Sequence, residues 1–125
     1  VKNLLLTSAI ICTILINACK KDDQATGEIF GQWLLTERYA DPGDGSGKYQ
    51  KVKGDRKTVT FHPTGEITGE FFAPLTQFKI LDSVRVEITM KNVNSSLIYY
   101  YKVTAKELEL NPPCIEGCGS KFKRQ

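Results

Sequence analysis

This chain of 125 residues has one histidine, His62, and that shortage narrows its chemistry. A zinc centre built on Cys114 and Cys118 needs two further ligands, which a single imidazole does not supply, so no metal site is expected. Neither a Gly-x-Ser-x-Gly nucleophile turn nor a glycine-rich phosphate loop is present, and His62 stands directly before Pro63, where it reads as an exposed turn residue. Glu66, Glu70, Glu87 and Glu109 fall on the wet phase of their runs, which leaves no carboxylate pair aimed at acid–base work. The expectation is a protein without catalytic residues or cofactor, not an enzyme. An excess of one charge is missing too. With 17 basic and 14 acidic residues the net charge is +3, too balanced to imply nucleic acid as a partner. Asp41, Asp44 and Ser46 miss the alternating ligand positions of a calcium-binding EF-hand loop. Segments of helical period and internal repeats are absent.

One long apolar run is present, at the start. Lys2 precedes an apolar stretch from Leu4 to Ile16, broken only by Thr7, Ser8, Thr13 and Cys12, and small Ala18 comes before Cys19. These are the parts of a secretory signal, too short to read as a spanning helix. Ile16-Asn17-Ala18-Cys19 resembles the lipobox of bacterial lipoproteins. The resemblance implies a signal peptide over residues 1–18, cleavage before Cys19, and diacylglycerol on the Cys19 thiol, so that acyl chains rather than a helix hold the protein at the membrane. The acidic pair in Lys20-Lys21-Asp22-Asp23 resembles an export tag that sends lipoproteins to the outer leaflet. Attachment to the outer membrane, on its periplasmic or cell-surface side, is the corresponding expectation.

Residues 19–27 are rich in charge and poor in large apolar side chains, and are expected to form a solvated tether. Removing 18 of 125 residues leaves 107, enough for one domain with a modest core, placed at 28–125. Cys12 leaves with the leader and Cys19 is consumed by lipid. Cys114 and Cys118 remain in an oxidising compartment, in a loop flanked by Pro and Gly, and are expected to form a disulfide.

Alternation with period two recurs along this domain. Trp33 and Leu35 share one face of a first run over 32–39. Val59 and Phe61 follow, then a Pro63-Thr64-Gly65 turn and a return run with Ile67, Gly69 and Phe71. Phe78 to Leu81 forms another; Val84, Val86, Ile88 and Met90 alternate with Arg85, Glu87, Thr89 and Lys91; Leu97, Tyr99, Tyr101 and Val103 share a face after the Asn92–Ser95 turn; Leu108 with Leu110, and Phe122 between two lysines, complete the set. About eight strands with hairpin-length connections predict an all-β fold, a small up-and-down antiparallel barrel or half-barrel, because an open sheet of this size leaves two unprotected edges. The exception is a long Gly-rich loop over 41–55, with Tyr49 at its centre.

Gly31-Gln32-Trp33 at the start of the first strand, followed by an amphipathic meander, resembles the lipocalin superfamily, and more closely its short lipoprotein members in Gram-negative bacteria. Asp41-Pro42-Gly43-Asp44-Gly45-Ser46-Gly47, Thr60-Phe61-His62-Pro63-Thr64-Gly65 and Cys114-Ile115-Glu116-Gly117-Cys118 carry the same likeness. The resemblance implies a calyx open at one end that holds a small apolar molecule. The stretch from Phe61 to Gly69 also resembles the META-type domain of bacterial envelope proteins.

Five inward-phase rings are the candidate ligand-binding residues: Trp33, Phe61, Phe71, Tyr99 and Tyr101. An eight-stranded interior is just wide enough to be filled by side chains or to hold one small ligand. Trp33 accordingly reads either as a floor for a ligand or as a buried plug. Lys48, Lys51, Lys53, Arg56 and Lys57 form a basic run that either gathers an anionic glycan or lipid head group at the mouth or is a solvated face. Two functions follow: a lipid-anchored envelope protein that binds a hydrophobic or amphipathic small molecule, or a solid-core module that contacts a protein or glycan through the 41–55 loop.

Overall fold

The structure, a computed structural model, describes residues 28–125 except Glu116. Cys19, the leader and the tether lie outside the described residues. Nine strands follow in order: β1 (Gly31–Ala40), β2 (Lys48–Lys51), β3 (Thr58–Phe61), β4 (Glu66–Gly69), β5 (Thr76–Ile80), β6 (Arg85–Met90), β7 (Ser95–Val103), β8 (Glu107–Asn111) and β9 (Ser120–Arg124). Among the described residues the only helical element is a 3-10 turn at Lys91–Val93.

All strand pairs are antiparallel, and β3 to β9 run as a meander. β9 returns to pair with β1, from Trp33 opposite Arg124 to Arg38 opposite Ser120, which closes an eight-stranded barrel of β1 and β3–β9. Closure removes the sheet edges that an open meander of this size would expose.

The ninth strand corrects the expectation of a long open loop over 41–55. The first half of β1 pairs with β3 and the second half with β2, Tyr39 opposite Tyr49. β2 is held from outside its own sequence. The Tyr39 and Tyr49 rings meet edge to face at 5.4 Å, Lys121 Nζ lies 4.0 Å above the Tyr49 ring, and the Tyr49 hydroxyl donates to Glu109 at 2.9 Å. Glu109 is therefore half-buried under this contact rather than on a fully wet face.

Period two produces the core. Val86 and Ile88 of β6 are fully buried while Arg85 between the turn and Val86 is exposed. Trp33, Leu35, Val59, Phe61, Leu108, Leu110 and Phe122 join them in one cluster that fills the waist of the barrel. Phe61 packs edge-on against Phe78, with ring centres 5.1 Å apart. Filling by large side chains is what so narrow an interior allows. Every buried side-chain polar atom among the described residues has a hydrogen-bond partner.

Two local irregularities set the ends of the barrel. A bulge between Leu35 and Glu37 shifts the register of β1 against β9, so that beyond it the odd residues turn outward and Arg38 turns inward. Gly69 ends β4 at φ +105°, where a Cβ would lie 2.5 Å from the Thr58 carbonyl oxygen. Only glycine fits there. The amides of Glu70 and Phe71 then both donate to that oxygen, which steers the Phe71 ring over the top of the barrel.

Candidate functional site

The two ends of the barrel differ. One is shut by Trp33 and Arg124. The Trp33 indole N–H donates to the Ile29 carbonyl at 2.8 Å, and the Arg124 guanidinium lies 4.1 Å over the indole. The same guanidinium donates to the carbonyls of Phe30 (2.8 Å), Glu28 (2.7 Å) and Ala105 (2.7 Å), tying the segment before β1 and the β7–β8 turn across the opening. A planar cation with a fork of donors suits three carbonyls and a π face at once.

The opposite end is ringed by the β1–β2, β4–β5, β6–β7 and β8–β9 connections and is not plugged in this way. A chain of edge-to-face rings leads out of the core: Phe122 to Phe71 at 4.9 Å, Phe71 to Phe72 at 4.9 Å, Phe72 to Tyr99 at 6.0 Å. Arg38 sits at the rim, 5.7 Å from the centre of the Phe71 ring. A cavity of about 270 Å³ opens here, lined by Arg38, Phe71, Tyr99, Leu110 and Ser120 and flanked by Cys118. Burial pushes the Tyr99 hydroxyl above its ordinary pKa. Cys114 and Cys118 are joined in a disulfide, their Cα atoms 6.2 Å apart, as expected from the sequence. This bridge braces the β8–β9 loop at the rim.

A second cavity, of about 390 Å³, lies on the other side of Arg38, between the upper half of β1, β2 and the 52–57 segment, with Lys51, Val52, Asp55 and Lys57 in its walls. Of the basic run, Lys51 and Lys57 reach this cavity, while Lys48, Lys53 and Arg56 are exposed outside it.

The five candidate rings therefore separate by height along the barrel. Phe71 and Tyr99 line the open end. Trp33 and Phe61 are 0% exposed and line neither of the cavities beside Arg38: Trp33 packs beneath Arg124 and Phe61 against Phe78. Tyr101 lies toward the plugged end, in a separate groove of about 430 Å³ beside Phe30, Val84 and Val103. Its hydroxyl donates to the Asp82 carbonyl at 2.9 Å and is held above its ordinary pKa, by burial first and then by the Asp82 charge. His62 is on the outer face with its Nε2 2.7 Å from the Thr68 hydroxyl. Among the described residues no group of three or more His, Cys, Asp and Glu converges as a metal would require.

Sequence reasoning passed over Arg38 and Arg124. Strict alternation from Trp33 and Leu35 puts Glu37 and Tyr39 inside and Arg38 outside, and a bulge leaves no mark in composition. Arg124 belongs to a run of basic residues whose only apolar member is Phe122.

Fold and geometry together define a small closed antiparallel β-barrel with a filled waist, one plugged end and one end open to a shallow, partly apolar cavity. No family model, no curated protein and no solved structure matches this chain.

Proposed function

We propose that this chain is a lipid-anchored cell-envelope protein whose lipocalin-like barrel takes a small hydrophobic or amphipathic molecule at its open end. The observation that carries the reading is the asymmetry of the barrel: Trp33 and Arg124 seal one end, while Phe71, Tyr99 and Leu110 leave an apolar wall beside a cavity at the other. A few polar groups over an apolar wall is the common make-up of small-molecule sites. At about 270 Å³ the cavity falls just below the roughly 300–1,000 Å³ common for such sites, which suits one ring or a short chain. Anchoring through acyl chains on Cys19 and an outer-membrane address rest on the lipobox-like Ile16-Asn17-Ala18-Cys19.

Two experiments test the two halves. Extraction of the protein from its native cells, followed by native mass spectrometry, is expected to show a bound small apolar molecule, and Phe71→Ala with Tyr99→Ala is expected to abolish its retention; a protein that carries and takes up no such molecule overturns the binding half. Radiolabelled palmitate is expected to enter the wild-type protein and not Cys19→Ala; equal labelling of both, or of neither, removes the anchor.

The filled waist favours one second reading, a solid-core module that contacts a protein or glycan. Exposed Leu75, Val93 and Ile115 sit on the connections around the open end, as does the 41–47 segment. Deleting residues 41–47 is expected to abolish partner capture in this reading and to leave small-molecule retention unchanged in the first.

A further inference from the structure

We infer that the open end selects amphiphiles that carry a single negative head group, with Arg38 as the residue that reads the charge. The inference rests on the small-molecule reading above and adds the ligand's charge to it. The bulge at Leu35/Glu37 places Arg38 on the face that Trp33 and Leu35 occupy lower in the strand, where its side chain stays exposed at the rim. Its guanidinium stands 5.7 Å from the Phe71 ring centre, at the junction of the two cavities.

Its surroundings are unbalanced. Among the described residues the one ion pair is Arg85 with Asp82, so no described carboxylate lies within ion-pair distance of Arg38. The cavity on the β2 side has three cations in its walls, Arg38, Lys51 and Lys57, against the single carboxylate of Asp55. The cavity on the barrel side supplies the opposite character through Phe71, Tyr99 and Leu110. A molecule that spans the junction meets charge-assisted donors at one end and an apolar wall at the other. Carboxylates and phosphates both fit a guanidinium fork; a neutral head forgoes that charge-assisted contact and a cationic head is repelled by the three cations.

Titration calorimetry of the full chain with decanoate, decyl phosphate, decanol and decyltrimethylammonium tests this. The two anions are expected to bind about tenfold or more tightly than decanol, as a charge-assisted contact allows, and the cation is expected not to bind; the stronger of the two anions identifies the head group. Arg38→Gln is expected to weaken the preferred anion about tenfold more than it weakens decanol, and Arg38→Lys to keep most of the preference. Decanol binding as tightly as both anions, or an anion preference that survives Arg38→Gln, overturns the inference and leaves the small-molecule reading standing. Failure of all four probes to bind overturns both.

Discussion

At the scale of single residues, Trp33 combines burial, a hydrogen bond and a cation–π contact in one side chain. It is fully buried, its N–H is matched by the Ile29 carbonyl, and Arg124 lies on its face. Trp33→Ala removes the volume, the hydrogen bond and the cation–π contact together. It is expected to lower the unfolding free energy by about 3–5 kcal/mol, read from the urea midpoint. Asp82 makes a different case, in the turn between β5 and β6. The Val84 amide donates to its carboxylate and Arg85 donates from its backbone and side chain, which holds the carboxyl below its ordinary 3.8. The folded chain therefore releases this proton at lower pH than the unfolded chain does. Its contribution to stability is complete above that ordinary value, which the unfolded chain keeps, and fades as pH falls through the lower folded value. Asp82→Asn is expected to flatten the acid side of the stability curve, measured as the change in urea midpoint between about pH 5 and about pH 3; an unchanged slope would show that the turn does not depend on this charge.

At the scale of the element, each connection at the open end presents its own constraint. Leu75, just before β5, holds a left-handed backbone at φ +60° with its side chain 69% exposed. A left-handed conformation costs a non-glycine residue roughly 1–2 kcal/mol, and little burial is returned here. Leu75→Gly is expected to raise stability by roughly 0.5–1 kcal/mol, after allowance for glycine's freer unfolded chain. A lowered melting temperature would show instead that the Leu75 side chain packs on the rim.

The elements also show what the residues alone disclosed. Strands built on large inward residues, such as Val86-x-Ile88 and Leu108-x-Leu110, were legible because alternation fixes which face is buried. β2 was not: Lys48-Tyr49-Gln50-Lys51 has one apolar residue, and its partners Tyr39, Lys121 and Glu109 come from β1, β9 and β8. The inward phase of the five candidate rings was legible too, but their height along the barrel was not. Height depends on strand register and tilt, and it is what separates Tyr101 from Tyr99, two residues earlier in the same strand. Arg38 escaped because one bulge reverses the phase of everything after it.

At the scale of the whole molecule, the barrel depends on its last strand. β9 pairs with β8 on one side and β1 on the other, and supplies both Phe122 to the core and Arg124 to the plug. Ending the chain at Gly119 opens the barrel along two unpaired edges and leaves the Trp33 face bare. The shortened protein is expected to aggregate or remain unfolded, seen as loss of the cooperative thermal transition and of the monomer peak in gel filtration; a monomeric, cooperatively melting product would mean that β3–β8 hold together without closure.

The bond from Arg124 to the Phe30 carbonyl joins residues 94 positions apart, so the two extremities of the domain are sewn to each other. One edge of the opening strand finds β2 and β3 close by in sequence, but its other edge stays unpaired until β9 arrives. Local hairpins therefore form early, while the all-or-none character of the fold is acquired only when that distant seam is joined.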